Sequence, residues 1–365
     1  MECSSEPHYE QPAASIPCLP QPRNTILFIG DGMGREHERA GSVFAHGEEH
    51  ALAFHRFPYR GSVSTFASNN LVTDSAAATT AMACGRKVNV GVVSEAIPGD
   101  GGPLTTLLER SAQRGKAIGL VTTAFMTHAT MAGFGAHELS RYNCRSIAED
   151  LFALRPNVLL GGARYITTAQ AHAAQYEEVV EDANELDAID PTTAYLSGQF
   201  GDGHMPYVLD GRGNLPSLPD MTQAALSILE KDADGFFLVV EAARIDHAGH
   251  ANDVERLVRE VAELGEAVNV AWRWAQGQTD TLIVVTADHE TGGLVVQDDT
   301  GDKGVAPTAR WSTDAHTADR VGIYAWGVNA SYAAASIDNT DVFRLLGGCE
   351  EHAAAAGSAG TSQVR

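Results

Sequence analysis

The sequence predicts an α/β protein, a three-layer α/β/α sandwich around a central, largely parallel β-sheet. Short runs that are apolar on both faces recur along the chain, and longer helix-period segments separate them. Several of these runs end on acidic or histidine residues, and such sheets bind ligands at the carboxyl ends of their strands.

Taken in order, NTILFIGDG reads as a strand that breaks at Gly30. Residues 104–114, LTTLLERSAQR, read as a helix with Gly115 as its stop. KAIGLVTT, NVLLGG, GFFLVVEAA, TLIVVTADH and RVGIYAWG read as buried strands. Helical patterns fall at 145–154, 167–183, 220–231 and 251–277. Residues 1–22, rich in proline, serine and glutamate, read as an irregular tail, and 351–365 as a flexible one. Residues 23–350 then form a single domain, in which 164–219, with HMPY at 204–207, is the expected source of rim or lid residues.

The formal net charge of −22 argues against a nucleic-acid partner. It also means that any phosphate handled here needs a local concentration of positive charge, which four lysines do not supply. No apolar run is long enough to span a bilayer. The five cysteines match no paired C-x-x-C motif. Cys3 and Cys18 are a candidate pair in an oxidising compartment, with free thiols as the alternative. Residues 1–22 lack a basic start and an apolar core, so no signal peptide is visible.

The strand ends carry the chemistry. NTILFIG is followed by Asp31, GFFLVV by Glu241 and then Asp246, and TLIVVTA by Asp288 and His289. In EAARIDHAGH, Asp246 and His250 are spaced i, i+4, which puts both on one helix face in reach of a zinc ion. A solvated helix face is the competing reading of that pair alone. His316 lies in a short polar loop, WSTDAHTA. Together Asp31, Asp246, His250, Asp288, His289 and His316 offer the ligands two neighbouring metal ions need. Thr130, Glu241 and Asp31 form an all-oxygen group suited to a harder ion such as magnesium. In VTDSAAATTAMACG, Asp74 or Ser75 reads either as a helix N-cap or as a functional pair at the helix start. Ser75 sits in no G-x-S-x-G elbow, so a metal ion would have to activate it. The helix N-terminus behind it favours an anion such as phosphate.

These residues resemble the alkaline phosphatases, in particular the compact bacterial ones. The resemblance runs from about Asn24 to Phe343, on FIGDGMG, VTDSAAATTAMACG, THATMAGFGAHELSR, VVEAARIDHAGHAND, VTADH and STDAHTA, in that order. It implies hydrolysis of phosphate monoesters to alcohol and inorganic phosphate through a phosphoserine intermediate, with two zinc ions and one magnesium. Ser75 then corresponds to the nucleophile, Arg141 to the arginine that grips two phosphate oxygens, and Asp74 to the neighbour that positions Arg141. Asp246, His250 and His316 correspond to the first zinc site. Asp31, Asp288 and His289 correspond to the second, with Asp31 shared with the magnesium ligands Thr130 and Glu241. Some bacterial members carry aspartate and lysine where this chain has His128 and His247. Those histidines resemble other members, including animal ones. They suggest that His128 lies near the third metal and that His247 contacts phosphate through water. Larger relatives insert a subdomain between the positions of Ala287 and His316. Its absence here implies a more open site and a smaller interface if a homodimer forms. Family members act mostly in the periplasm or as secreted proteins. Two other readings are a phosphodiesterase of the same superfamily and a non-catalytic phosphate- or metal-binding protein. A sulfatase is disfavoured, because its C-x-P-x-R motif does not occur at Ser75.

Overall fold

The fold is described by a computed structural model, which covers Tyr9, residues 15–298 and residues 301–349. The central strand β1 (Asn24–Gly30) is wholly buried, as its unbroken apolar run requires. It is followed by α1 (Arg35–His46), β2 (Tyr59–Ser64), α2 (Ser75–Cys84) and α3 (Leu107–Gln113). Next come β3 (Ala117–Phe125), α4 (Ala129–Gly135), α5 (Cys144–Leu154), β4 (Val158–Gly162) and α6 (Thr168–Ala173). The segment 164–219 also holds β5 (Glu178–Val180), α7 (Ala183–Asp187) and β6 (Leu196–Gln199). After α8 (Leu218–Leu229), β7 (Phe236–Ala242) leads into α9 (Arg244–His250) and the long α10 (Val254–Trp274). β8 (Thr281–Thr286) precedes four short strands: β9 (Glu290–Thr291), β10 (Val295–Asp298), β11 (Thr308–Arg310) and β12 (His316–Thr317). β13 (Val321–Gly327), β14 (Ser336–Asp338) and α11 (Asn339–Leu345) close the described chain.

Ten strands form one sheet in the order β14-β2-β13-β8-β1-β7-β3-β4-β6-β5. β1 lies between β7 and β8, parallel to both, with Ile29 opposite Glu241 and Thr286. β13 runs antiparallel to both of its neighbours, and the other pairings in this sheet are parallel. The expected α/β sandwich with a largely parallel sheet is therefore the observed fold, with RVGIYAWG as its reversed strand.

Three expectations need correction. The helical pattern at 167–183 stops at Ala173, Gln175 takes a left-handed φ of 63°, and Glu178–Val180 pairs with β6 as an edge strand. The β-branched pair Val179-Val180 gains more from that pairing than from extending a helix. The pattern at 251–277 begins later, at Val254, because Asp253 caps it and Asn252 turns at φ 51°. Cys18 pairs with Cys349, not with Cys3, and their Cα atoms are 5.3 Å apart. Asp341 of α11 explains the approach: its carboxylate accepts from the Ser15 backbone N–H at 2.8 Å and from the Ser15 hydroxyl at 2.5 Å. The expected irregular tail thus has no helix or strand from 15 to 22, yet Ile16 and Leu19 are buried against the body. Cys3 and the tail 351–365 lie outside the described residues. No helix among the described residues is long and apolar enough to cross a membrane.

Candidate active site

Four adjacent central strands, β8, β1, β7 and β3, deliver the site from their carboxyl ends. Asp31 follows β1 directly. The turn after it needs Gly32, whose φ is +72° and whose added Cβ would lie 2.9 Å from the Asp246 backbone. Gly32 N–H donates to Asp288 Oδ1 at 3.0 Å, so the ends of β1 and β8 are locked together. Glu241 lies within β7, and Asp246 and His250 stand on α9 just beyond it. His316 comes from further along the chain, brought in where β12 pairs with β9.

These residues converge in three groups, within each of which the candidate ligand atoms lie within 4.8 Å of one another: Asp246, His250 and His316; Asp31, Asp288 and His289; and Asp31, His128 and Glu241. The first two are the sets expected from the sequence. The third brings His128 in alongside Glu241 and Asp31. Thr130, expected with them, lies beside Glu241.

The donor chemistry fits bound cations. Asp31 Oδ2, Glu241 Oε1, Asp288 Oδ2, His128 Nδ1 and Thr130 Oγ1 are buried without a hydrogen-bond partner in the protein. A buried carboxylate oxygen left so is costly unless a cation meets it. In the first group, His250 Nδ1 is 2.6 Å from the Asp314 carbonyl and His316 Nδ1 is 2.8 Å from the Thr73 carbonyl. Each ring therefore donates through Nδ1 and turns the lone pair of Nε2 inward, as metal-binding imidazoles do. The two Nε2 atoms lie 3.1 Å apart and 3.3 and 3.5 Å from Asp246 Oδ1. Burial first, then mutual repulsion, pushes Asp31 well above the ordinary carboxyl range. Burial likewise raises Glu241 to about 7 and Asp288 to about 6. A divalent ion in their midst reverses that balance and holds them ionised.

Ser75 opens α2 and Asp74 caps it, accepting from Ala77 N–H at 3.1 Å. The choice left open by the sequence is thereby made: the cap is Asp74, and the Ser75 hydroxyl is free for another task. Its Oγ lies 3.3 Å from His289 Nε2 and 3.5 Å from Asp31 Oδ1, on the edge of the second group. The small residues of α2 let α4 close in. A Cβ added to Gly133 would meet Thr79 Oγ1 at 2.3 Å. Asp74 also accepts from Gly91 N–H at 3.0 Å and from Arg141 Nη1 at 2.9 Å. Burial opposes its charge, but Arg141 and these hydrogen bonds prevail and keep the carboxyl below its ordinary value. Arg141 Nη2 reaches His128 Nε2 at 3.3 Å. Asp74, Ser75, His128, Arg141, His247 and His316 share a cavity of about 650 Å³.

All thirteen residues singled out in the sequence are thus gathered at one end of the sheet. The alkaline phosphatase model matches residues 22–171 and 158–309.

The chain belongs to the alkaline phosphatase family.

Among its curated relatives, alkaline phosphatase 3 of Bacillus subtilis is 37% identical over 292 residues, covering 75% of this chain and 62% of that protein. The chicken tissue-nonspecific alkaline phosphatase is 33% identical over 329 residues, covering 73% of this chain and 63% of that protein. The chain thus spans less than two thirds of the length of these relatives. Solved alkaline phosphatases match over almost their whole length. That of the Antarctic bacterium TAB5 has 28% identity and a TM-score of 0.81, covering 90% of this chain and 97% of its own. That of Thermus thermophilus has 27% identity and a TM-score of 0.82, covering 92% of each.

Sequence reasoning missed the residues around the site that carry no obvious chemistry. Thr291 hydrogen-bonds Asp246 Oδ1 at 2.6 Å and lies 3.3 Å from His289 Nδ1, tying two of the groups together. Its place next to VTADHE was the one available signal. His204, in the HMPY stretch expected to supply rim or lid residues but given no role there, packs 4.4 Å from the His247 ring.

Proposed function

We propose that the chain is a metal-dependent phosphomonoesterase, an alkaline phosphatase that works through a phosphoserine intermediate on Ser75. The observation that carries this reading is the position of Ser75 Oγ beside His289 and Asp31 at a helix start, with Arg141 held across the cavity by Asp74. Asp246, His250 and His316 would hold one zinc ion and Asp31, Asp288 and His289 a second. Asp31, Glu241 and Thr130, with His128 beside them, would hold a third ion, magnesium. Variants of the TAB5 enzyme in which a histidine is replaced by aspartate or glutamate have been solved with Mg in the M3 site, a likeness that supports a third metal position here. When bound, such ions lower the pKa of a hydroxyl or water and neutralise the entering and leaving oxygens of an in-line displacement.

The residues of this chain then divide the work. Arg141 offers two N–H donors in a fork that matches two phosphate oxygens. Ser75 Oγ attacks phosphorus, the P–O bond to the alcohol breaks, and the alcohol leaves with a proton. Water attacks the phosphoserine from the opposite side, the Ser75–phosphorus bond breaks, the Ser75 oxygen takes the proton that the water loses, and inorganic phosphate departs. The backbone N–H groups at the start of α2 face the developing negative charge. His247, on the cavity wall, contacts phosphate through water. The Cys18–Cys349 disulfide supports an oxidising location, the periplasm or the exterior.

The test is p-nitrophenyl phosphate hydrolysis at pH 7–10, before and after EDTA and after zinc and magnesium are restored. The reading expects activity that EDTA abolishes and metals restore. Tight phosphate and metal binding with no turnover would instead identify a binding protein, and a preference for a matched diester would identify a phosphodiesterase.

A further inference from the structure

Building on the phosphate contact proposed for His247, we propose that Arg244 and the HMPY segment, His204–Tyr207, are positioning residues. They fix His247 in the tautomer that presents an Nε2–H donor to the phosphate cavity. Arg244 Nη1 lies 2.9 Å from His247 Nδ1. A guanidinium has donors and no acceptor, so Nδ1 must accept, and the neutral ring carries its proton on Nε2. His247 lines the cavity that also holds Ser75 and Arg141, and Nε2 is the ring nitrogen left to it. The other tautomer would leave the cavity an acceptor in place of that donor.

Each residue of the HMPY segment contributes to holding this arrangement. The Tyr207 ring centroid is 3.8 Å from the Arg244 guanidinium carbon, a cation–π contact that keeps the guanidinium aimed. The Pro206 carbonyl accepts from Arg212 Nε at 3.2 Å, and Arg212 is clamped by Glu263. Met205 is fully buried, and its N–H donates to the Thr123 carbonyl at 3.0 Å. The His204 ring lies 4.4 Å from His247 at 64° and 4.7 Å from Phe125, so it limits how far the His247 ring can swing. Just beyond the motif, Val208 N–H donates to Glu260 Oε1 of α10 at 2.8 Å. The rim segment is thus fastened to β3 on one side and to α10 on the other.

Two measurements test this. The first is the affinity of the metal-loaded protein for inorganic phosphate, by calorimetry, for wild type, Arg244→Met, His247→Ala and the double variant. Arg244→Met is expected to weaken phosphate binding about tenfold, the scale of one lost hydrogen bond, and to add nothing once His247 is absent. An undiminished affinity in Arg244→Met, or a full additional loss in the double variant, would overturn the proposal, because a merely structural arginine acts independently of His247. The second is the histidine ring nitrogen-15 spectrum of the metal-free wild type, with His247 assigned from its own variant. A proton on Nε2 is expected, and a proton on Nδ1 overturns the proposal even if Arg244→Met does not fold. This spectrum needs no turnover. An inactive protein with the Nε2–H ring would therefore count against the esterase reading and leave the positioning role standing.

Discussion

Arg141 Nη1 lies 2.9 Å from Asp74 Oδ2, and the other oxygen of the same carboxylate caps the helix that begins at Ser75. One side chain thus sets both the start of the helix that carries Ser75 and the direction of Arg141. The two tasks separate by substitution. Asp74→Ala removes both and is expected to lower stability by about 1 kcal/mol, the usual worth of an N-cap, and to weaken phosphate binding. Asp74→Asn keeps a capping oxygen, so thermal melting should return toward wild type while phosphate affinity stays low. Equal recovery of both in Asp74→Asn would show that the ion pair with Arg141 is idle.

The Cys18–Cys349 bridge closes a loop of 331 residues and joins the two ends of the described chain. Reduction, or Cys18→Ser, should lower the melting temperature, reflecting a loss of about 2–5 kcal/mol. Neither cysteine touches the site, so activity at 25 °C should survive. An unchanged melting temperature under reductant would mean that the two thiols are not paired in solution.

His137 supplies a pH dependence remote from the metal groups. Its Nε2 lies 2.8 Å from Glu109 Oε1 and its Nδ1 3.0 Å from the Ser94 carbonyl. Burial works against its charge, but these two partners outweigh burial and raise the ring to about 9. A histidine raised on folding contributes stability that is complete below its unfolded value near 6.5 and is lost as pH rises through 9. The stability gap between wild type and His137→Leu should therefore shrink from pH 6 to pH 10. A gap constant over that range would mean the ring stays neutral.

How much of this was legible in the sequence depends on where each signal lies. The parallel core was legible because β1, β3, β7 and β8 are each built around a short apolar run and are buried throughout. Asp31, Glu241, Asp288 and His289 were legible because they sit at or just beyond the ends of those runs, where the sheet delivers them by construction. His316 was reached from the ligand count and the STDAHTA motif, since the two-residue pairing of β12 with β9 leaves no periodic trace. The Cys18–Cys349 pair was missed because nothing local joins positions 331 residues apart. His204 and Arg244 were missed for another reason. His204 meets the His247 ring from a distant segment, and Arg244, though i, i+3 from His247 on α9, is aimed by the Tyr207 ring of another segment, which no local spacing encodes.

The central claim is that Ser75 carries the phosphoryl group, and the most direct measurement is to trap it there. The metal-loaded protein would be mixed with p-nitrophenyl phosphate, quenched in acid, digested and analysed by mass spectrometry, alongside Ser75→Ala. The account predicts phosphate on the peptide that contains Ser75, absent in Ser75→Ala, together with a large loss of turnover in that variant. Full activity in Ser75→Ala, or phosphate found on another residue, would contradict it.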